Sequence, residues 1–429
     1  MLREAFRIGS RRCFSYKSVR RPNLGATSAP KAQPEKTPEA VPPGNGSLAK
    51  QLRAKILATG QITVAEYMRE VLTNPQAGYY MNRDVFGREG DFITSPEISQ
   101  IFGELVGIWL VTEWRKMGSP SPFQLVELGP GRGTLARDVL KILTKFKLGA
   151  EFSMHMVEIS PYLSKAQAQR FCYTHNTLPE DAQLPHYQVG TTATGTKAYW
   201  HRRLEDIPEG FSLVLAHEYF DALPVHKLQL DNGQWQEVLI DVAPESEPDF
   251  RYVLSKSQTP VSRVFQPMEG ETRATLEYSL ETERQVGLLA DRIERNGGIG
   301  LIMDYGHFGD KTDTFRAFKQ HALHEPLLQP GTADLTADVD FKLIKQTAEA
   351  RGHLHCCGPI EQGLFLSRMQ GEARLEQLLA NALPENETTI RSGYEMLTAD
   401  EQMGKRFKFL AMFPGVLRSH LEKFPVAGF

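Results

Sequence analysis

Cysteine is scarce in this chain, with only four among 429 residues. Cys172, Cys356 and Cys357 form no disulfide framework, which fits a reducing compartment. The chain also lacks any apolar run of about eighteen residues, so no membrane-spanning helix is expected. Residues 353–357 read H-L-H-C-C, without the spacers that let zinc ligands meet. Their alternation favours a buried strand, and no metal site is expected.

Acidic residues are nearly absent from the first 21 positions, which hold Glu4 against seven Arg and Lys residues and three serines. This composition is typical of a mitochondrial transit peptide, and residues 12–15 resemble a matrix-processing site; a merely basic tail is the alternative. Residues 22–46, rich in Pro, Ala, Lys and Glu, predict a disordered linker. Loss of residues 1–21 would take the formal charge from −3 to −9. An acidic body argues against nucleic acid as the main partner and is compatible with a basic polypeptide substrate.

Glycine is concentrated in residues 123–138, which read F-Q-L-V-E-L-G-P-G-R-G-T-L-A-R-D. An apolar strand turns there into a helix through Gly129, Gly131 and Gly133, where the absence of Cβ permits a sharp turn and the close approach of a ligand. The spacing matches neither the G-x-G-x-x-G of dinucleotide-binding folds nor a P-loop. Glu127, at the carboxyl end of the strand, would suit a cationic or hydroxyl-rich ligand better than a pyrophosphate.

Strands and helices alternate from about residue 121 onwards, which predicts a doubly wound parallel α/β sheet in one catalytic domain over residues 121–429. The predicted strands are 123–128, 153–159, 187–190, 211–216, 299–305, 353–357 and 406–413, and the predicted helices are 134–146, 162–174, 280–295, 341–351 and 364–380. Around residues 225–275 the pattern predicts a β-rich antiparallel insertion with a turn at Asp231-Asn232-Gly233. Residues 47–120 predict an N-terminal helical cap.

Acidic side chains follow several of the predicted strands. Ligands of open α/β sheets bind beyond the carboxyl ends of the strands, so these acids are candidate site residues. Glu158 follows the second strand, with an ordinary surface acid as the alternative. Glu218 and Asp221 follow strand 211–216, and Asp304 lies near the end of strand 299–305. For Asp221 and Asp304, a local cap or turn is the alternative.

Two loops add polar residues. Residues 90–97 read G-D-F-I-T-S-P-E and lead into a helix N-terminus, where backbone N–H groups favour a carboxylate. Folded over the glycine loop, they could close on a ligand; simple capping by Ser95 and Pro96 is the alternative. Residues 330–341 hold three aspartates, which is more than one helix cap needs.

Five blocks occur in order along the chain: G-R-E-G-D-F-I-T-S-P-E-I-S-Q-I-F-G-E, V-E-L-G-P-G-R-G-T-L, A-H-E-Y-F-D-A-L-P-V, I-M-D-Y-G and A-D-L-T-A-D-V-D-F. Together they resemble the MidA-like family of S-adenosylmethionine (SAM)-dependent methyltransferases, from about residue 48 to the end. The resemblance implies a class I, Rossmann-like SAM methyltransferase sheet with an N-terminal helical cap and a β-rich insertion. It also implies SAM as the methyl donor.

The resemblance extends to the site. With the strand-end acids, it gives the expected SAM contacts as Gly90, Asp91, Thr94, Ser95, Pro96, Glu127, Gly129, Gly131, Gly133 and Glu158. Glu218 and Asp221 would face the substrate, and with Asp304 they are the candidate catalytic residues. Their spacing differs from the paired-glutamate hairpin of the main protein arginine methyltransferases. The family is implicated in symmetric dimethylation of an arginine on a 49-kDa-type core subunit of NADH dehydrogenase (complex I), early in assembly, which implies the mitochondrial matrix.

Three other functions stay open. A nicotinamide dehydrogenase would use a similar sheet, but the glycine spacing disfavours it. A non-catalytic SAM-binding assembly chaperone would keep the same pocket without turnover. A methyltransferase acting on a small molecule or on another substrate is the third alternative, and the large cap and insertion weakly favour a wider substrate surface.

Overall fold

The computed structural model describes residues 47–83, 85, 93–149, 151–244 and 250–429. The predicted transit peptide and linker, and the candidate contacts Gly90 and Asp91, lie outside the described residues. No helix in the described part of the chain is long and apolar enough to cross a membrane.

The strands differ widely in length, and the longest belong to one large sheet. In chain order they are β1 (Ile62–Thr63), β2 (Phe123–Leu128), β3 (Phe152–Val157), β4 (Cys172–Thr177), β5 (Gln188–Thr192), β6 (Lys197–His201), β7 (Ser212–His217), β8 (His226–Asp231), β9 (Gln234–Val242), β10 (Phe250–Leu254), β11 (Thr275–Tyr278), β12 (Gly298–His307), β13 (Arg316–Lys319), β14 (Ala322–His324), β15 (Asp334–Thr336), β16 (Val339–Asp340), β17 (His355–Glu361) and β18 (Phe407–Phe413).

The α-helices precede the first long strand, connect strands of the large sheet, lie within the β-rich insertion or cluster near the C-terminus. In chain order they are α1 (Ser47–Thr59), α2 (Val64–Thr73), α3 (Ser95–Ile98), α4 (Gln100–Lys116), α5 (Thr134–Lys145), α6 (Pro161–Phe171), α7 (Pro260–Val264), α8 (Leu280–Asn296), α9 (Phe341–Arg351), α10 (Gln362–Arg368), α11 (Gly371–Leu379), α12 (Pro384–Thr398) and α13 (Arg418–Lys423).

The large sheet has the strand order β17-β18-β12-β7-β2-β3-β6-β5-β4, with β16 beside β12. Its centre is parallel, since β12, β7, β2, β3 and β6 all run in one direction. Strand β18 runs antiparallel to both β12 and β17, and β5 and β4 form an antiparallel edge. The predicted α/β sheet is therefore confirmed, as a mixed sheet rather than a purely parallel one. The carboxyl ends of the central strands meet along one edge.

Three predicted elements differ from the structure. The third parallel strand is β6, whereas residues 188–190 of the predicted strand belong to β5, which pairs with β6 in an antiparallel hairpin turning near Gly195 (φ 86°). The helix predicted over 364–380 is two helices, α10 and α11, because Gln370 adopts a left-handed conformation (φ 66°) between them. The strand predicted over 353–357 begins later, at His355, after His353 with φ 47°.

A second, antiparallel sheet has the order β1-β9-β8-β11, with β10 on β9. The predicted hairpin between β8 and β9 is confirmed, since Asn232 and Gly233 both have positive φ, as a two-residue type I′ turn requires. Strand β1 joins this sheet from the N-terminal segment, where Ile62 lies opposite Ile240. One hydrophobic core contains residues of α1, α2 and β9, so the N-terminal helices and the insertion pack together.

Helix α4 lies directly against α5 and thereby fixes the start of α3 near the glycine loop. A Cβ at Gly103 would come within 2.7 Å of the Asp138 Cβ, and one at Gly107 within 2.9 Å of the Ile142 Cβ. Such close packing tolerates only glycine at these two positions. The central strands bury Val126, Val214 and Ile302 in a second core on the side of α8 and α9.

Candidate active site

The glycine loop connects β2 to α5 through three residues in the left-handed region: Gly129 (φ 60°), Gly131 (φ 53°) and Gly133 (φ 74°). The N–H of Gly129 donates to the carbonyl of Val157 at 3.0 Å, which fastens the loop to the neighbouring strand. A Cβ at Gly129 would lie 2.8 Å from Cδ2 of Tyr219. The loop backbone can adopt this path only because these three positions carry no side chain.

Glu158 lies at the carboxyl end of β3 with its carboxylate buried. Its Oε1 accepts the N–H of Ser160 at 2.8 Å, and its Oε2 accepts the amide Nε2 of Gln167 at 2.9 Å. Burial raises the pKa of Glu158 to about 7, against the opposing effect of these donors. The carboxylate is therefore held in one orientation beside the glycine loop.

Gln167, on α6, joins the two features and was not predicted from the sequence. Its Nε2 donates to the carbonyl of Gly131 at 2.7 Å as well as to Glu158, and its Oε1 accepts from Trp200 Nε1 at 2.7 Å. The side chain is fully buried. One amide thus fixes the spacing between the glycine loop and the carboxylate of Glu158.

Glu127, the last polar residue of β2, is buried directly before the glycine loop. Burial raises its pKa to about 8, and the N–H of Ala136 offsets this in part by donating to the carboxylate. Within the described residues its Oε2 has no hydrogen-bond partner. A buried oxygen without a partner costs free energy unless a ligand or proton satisfies it.

The chain around α3 contacts both the glycine loop and the strand-end acids. Glu97 pairs with Arg132 of the glycine loop, with 3.4 Å between Oε1 and Nη1. The backbone N–H of Ser95 donates to the carboxylate of Glu218. Ser95 and Pro96 are buried, and Thr94 precedes α3 without a side-chain capping bond. The segment of residues 94–97 therefore contacts both the glycine loop and the strand-end acid Glu218.

Glu218 follows β7 with φ 48°, an uncommon conformation for a residue with a side chain. Its Oε1 has no hydrogen-bond partner in the part of the chain that the structure describes, although Nε2 of His217 lies 3.4 Å away. Burial, followed by the neighbouring charge of Asp221, raises the pKa of Glu218 well above its usual range. Asp334 and Glu97 add smaller effects in the same direction, so several carboxyl groups share this region.

Asp221 points one oxygen at two hydroxyl groups. Its Oδ2 accepts from Tyr305 and, at 2.8 Å, from Thr336 Oγ1. Its Oδ1 is buried and without a partner among the residues described here. Burial raises the pKa of Asp221, while the two hydroxyls oppose the shift. Asp221 and Glu218 thus each present one unsatisfied oxygen.

Asp304 differs from these two acids, because its hydrogen bonds go to backbone groups. Its Oδ2 accepts the N–H groups of Tyr219, Phe220 and Asp221 at 3.0–3.3 Å, and its Oδ1 accepts the N–H of Tyr305 at 3.0 Å. The side chain is fully buried. Asp304 therefore holds the turn that carries Glu218 and Asp221, as the capping alternative from the sequence describes.

A cavity of about 480 Å³ lies at the opposite edge of the sheet, near the amino ends of β2, β3 and β6. His155 and His201, which line it, are hydrogen-bonded to each other at 2.9 Å, and their remaining ring nitrogens bond Ser153 and Pro185. These polar groups are satisfied without a ligand. Among the described residues no group of His, Cys, Asp and Glu side chains is arranged to hold a metal ion.

The site residues fit SAM. The glycine loop leaves its backbone accessible at the end of the first parallel strand, and Glu158 holds two carboxylate oxygens at the end of the second, where ribose hydroxyls can donate. The oxygens of Glu218 and Asp221 that lack a partner among the described residues follow β7, which lies on the other side of β2 from β3. Strand order and site together define a class I SAM-dependent methyltransferase.

Comparisons with known proteins agree with this class. Residues 105–360 match the model of a family described as putative S-adenosyl-L-methionine-dependent methyltransferases, and the chain belongs to this family. It is 80% identical, over all of both chains, to a protein of Drosophila melanogaster named protein arginine methyltransferase NDUFAF7 homolog, mitochondrial. It is 47% identical to the human protein arginine methyltransferase NDUFAF7, mitochondrial, over 86% of this chain and 83% of that one.

A solved structure shares the fold. A likely methyl transferase from Burkholderia thailandensis, crystallised with S-adenosyl-homocysteine (SAH), superposes with a TM-score of 0.68 over 90% of this chain and 96% of that chain. The two sequences are 22% identical, so the likeness concerns the fold alone. The predicted class I SAM methyltransferase fold is confirmed.

Proposed function

We propose that this chain is a mitochondrial protein arginine N-methyltransferase that acts in the matrix. Its substrate would be an arginine of the 49-kDa-type core subunit of NADH dehydrogenase, symmetrically dimethylated early in complex I assembly. The names of the Drosophila and human relatives support arginine as the methylated residue and the mitochondrion as the location. The family that the five ordered blocks resemble supports the 49-kDa-type subunit as the substrate. The observation that carries the proposal is a pair of buried carboxylate oxygens, one on Glu218 and one on Asp221, that have no hydrogen-bond partner in the described part of the chain.

On the donor side, the residues bind and orient. Glu158 would accept hydrogen bonds from the ribose hydroxyls. The loop of Gly129, Gly131 and Gly133 would lie along the amino-acid portion of SAM. The segment of Thr94, Ser95 and Pro96 would close over that portion, held by the pair of Glu97 and Arg132. When bound, SAM supplies an electrophilic methyl group on a sulfonium, and in-line displacement makes positioning the main contribution of the protein.

On the acceptor side, the problem is the low nucleophilicity of arginine. Its guanidinium is charged and its nitrogen lone pairs are delocalised. Glu218 Oε1 and Asp221 Oδ1 would bond the guanidinium and hold the positive charge away from the attacking nitrogen. A bound guanidinium would also stabilise the ionised form of both acids, against the burial that raises their pKa.

The transfer also releases a proton from the attacking nitrogen. Glu218, ionised while it bonds the guanidinium, would accept this proton, because burial and the charge of Asp221 raise its pKa well above that of an exposed glutamate and so increase its affinity for a proton. Asp304 takes no direct part. It fixes the turn from Tyr219 to Asp221 through backbone N–H groups and keeps Glu218 in place.

The test is incubation of the mature protein with methyl-labelled SAM and the unassembled 49-kDa-type subunit, followed by mass-spectrometric mapping. We expect label on one arginine, with fragments that place the two methyl groups on different nitrogens. Glu218→Gln should lose turnover by at least about 100-fold while its Kd for SAH stays within about two-fold of the wild-type value.

Gly131→Val is the matched control on the donor side, because a side chain at φ 53° should disrupt the loop and abolish SAH binding as well. Normal turnover in Glu218→Gln would refute the role of Glu218. SAH binding by the wild type without methyl transfer to the subunit would refute the proposed reaction and support the non-catalytic assembly chaperone.

A further inference from the structure

Tyr80 belongs to the N-terminal segment, far from the catalytic strands in sequence, yet it contacts both halves of the site. Its backbone carbonyl accepts a hydrogen bond from Ser160 Oγ at 2.7 Å, and its hydroxyl donates to Asp334 Oδ1 at 2.7 Å. No motif in the sequence singles it out. Its two contacts, one through the backbone and one through the side chain, go to different elements of the fold.

The backbone contact leads to the donor side. Ser160 is fully buried and caps α6, and its N–H is one of the donors that orient Glu158. The Ser160 hydroxyl therefore connects the ribose carboxylate to the position of Tyr80. Replacement of the Tyr80 side chain leaves this contact intact, because it uses the main-chain oxygen.

The side-chain contact leads to the acceptor side. Asp334 begins β15, and its charge contributes to the raised pKa of Glu218 and of Tyr305. Two residues further on, Thr336 donates to Asp221 Oδ2 at 2.8 Å. Burial and the charges of Asp334 and Asp221 raise the pKa of the Tyr80 hydroxyl well above its usual range, so it stays a hydrogen-bond donor.

The other aspartates of residues 330–341 have different partners. Asp338 pairs with Lys311 and Arg316, with distances of 2.9 and 2.7 Å. Asp340 caps α9 by accepting the N–H groups of Lys342 and Leu343. Asp334 is the aspartate of this loop whose charge contributes to the raised pKa of Glu218.

The segment that carries Tyr80 is fixed by its own contacts. Arg83 Nη2 donates to the carbonyl of Thr332 at 3.2 Å, and the N–H of Tyr79 donates to the carbonyl of Val71 at 2.9 Å. A Cβ at Gly331 would lie 2.5 Å from the carbonyl oxygen of Ala77. Tyr80 is thus held against β15 from both sides, and its hydroxyl has a defined target.

We propose that Tyr80 and Asp334 form a positioning pair for the acceptor guanidinium, in which Asp334 supplies a further carboxylate to the pocket of Glu218 and Asp221 and Tyr80 fixes its orientation. The inference rests on the proposed function and adds a specificity-determining residue to the same site. Because the carbonyl of Tyr80 also bonds the cap of the donor helix α6, the acceptor carboxylate keeps a fixed position relative to the ribose carboxylate.

The test measures binding of ethylguanidinium, an analogue of the arginine side chain, to the SAH-saturated full chain by calorimetry. Asp334→Asn should weaken its Kd about ten-fold, and Tyr80→Phe about three- to ten-fold. If Tyr80 acts through Asp334, the double variant should lose no more affinity than Asp334→Asn alone. The Kd for SAH should stay within about two-fold of the wild-type value in all three variants.

Tyr67→Phe is the matched control, because it also removes a buried tyrosine hydroxyl from the N-terminal segment, one that donates to the carbonyl of Pro326 at 2.9 Å. We expect it to leave the affinity for ethylguanidinium unchanged. With the unmethylated 49-kDa-type subunit as substrate, Tyr80→Phe should raise KM more than it lowers kcat, which a general loss of folding stability would not do.

Losses that multiply in the double variant would overturn the inference and leave the proposed function standing. The same holds for a loss in Tyr67→Phe as large as that in Tyr80→Phe, and for a parallel weakening of SAH binding. A wild-type protein that binds SAH but not ethylguanidinium would instead refute the acceptor pocket of the proposed function, and the positioning pair with it.

Discussion

Replacement of Glu158 by glutamine tests the donor side of the site most directly. In the proposed function, the wild-type carboxylate would accept hydrogen bonds from the ribose hydroxyls, while Ser160 and Gln167 hold its orientation. Glutamine has nearly the same shape, but it has one acceptor oxygen and no charge. A hydrogen bond to a charged group contributes about 1.5–3 kcal/mol, so the Kd for SAH should rise about 10- to 150-fold.

The same carboxylate predicts a pH dependence. Burial raises the pKa of Glu158 to about 7 in the folded protein. If the ionised form binds the hydroxyls, the competent fraction rises from about one tenth at pH 6 to about nine tenths at pH 8. The Kd for SAH should therefore fall about ten-fold over this range, and the slope should vanish in Glu158→Gln.

As pH rises, the free energy of unfolding of the ligand-free protein should fall, whereas its affinity for SAH should increase. The pKa of this acid is raised on folding, so its contribution to stability is present below its unfolded pKa of about 4.5 and is lost as pH rises through about 7. Glu158→Gln does not ionise and should escape this loss. Above pH 7, its free energy of unfolding should exceed that of the wild type, after allowance for a constant offset at pH 5.

Calorimetric titration with SAH between pH 6 and 8 checks these values, and adenosine, which lacks the titrating amino-acid portion, is the control ligand. Glu113→Gln is the control variant, because burial also raises the pKa of Glu113, and its carboxylate bonds Lys116 and the N–H of Ala427 instead of lying in the site. A Kd for SAH within two-fold of wild type in Glu158→Gln would refute the assignment of the ribose carboxylate. An unchanged pH slope in that variant would refute the titration argument.

The remaining predictions concern the framework of the site. Asp304→Asn should lower the free energy of unfolding by about 3 kcal/mol or more in urea, since an amide NH2 in place of one carboxylate oxygen cannot accept the backbone N–H groups that donate to that oxygen; wild-type stability would argue against its positioning role. Gln167→Leu should weaken SAH binding at least about ten-fold and destabilise the fold, because Trp200 loses its acceptor; unchanged binding would separate Gln167 from the donor site. His155 is buried and its pKa is lowered to about 3, mainly by burial, so it contributes stability that is lost as pH falls below about 6.5. Between pH 6 and 4 the unfolding free energy of His155→Gln should fall less steeply, by about 1.4 kcal/mol per pH unit, and an equal slope would contradict this.

The parts of the site that the sequence predicts are local. The glycine loop and Glu158 follow consecutive strands, so the rule that ligands bind at the carboxyl ends of strands places them without knowledge of long-range contacts. The same rule predicts Glu218 and Asp221 as site residues. The pattern that indicates them is a dense run of polar residues directly after an apolar strand. In the structure each has one buried carboxylate oxygen without a partner among the described residues.

The parts that the sequence did not predict depend on contacts between distant residues. Gln167 bonds Gly131 across 36 positions, and Tyr80 bonds Asp334 across 254. Glutamine and tyrosine in amphipathic segments have no local pattern that separates a buried bridge from an exposed side chain. Strand β6 was not predicted either, because its five residues are too few to show the alternation of polar and apolar residues clearly.

The acids also separate the proposed function from its alternatives. A methyltransferase for a neutral small molecule has no need of two buried carboxylate oxygens that lack a hydrogen-bond partner among the described residues, since burying such oxygens costs stability. The turn that carries them is nevertheless held firmly, because Asp304 accepts the N–H groups of Tyr219, Phe220 and Asp221 in succession. A fold that holds two acids so rigidly, each with one carboxylate oxygen directed at no described donor, is preorganised for a positively charged acceptor. A guanidinium supplies both the charge and the donors, which favours arginine over a neutral acceptor as the group that completes the site.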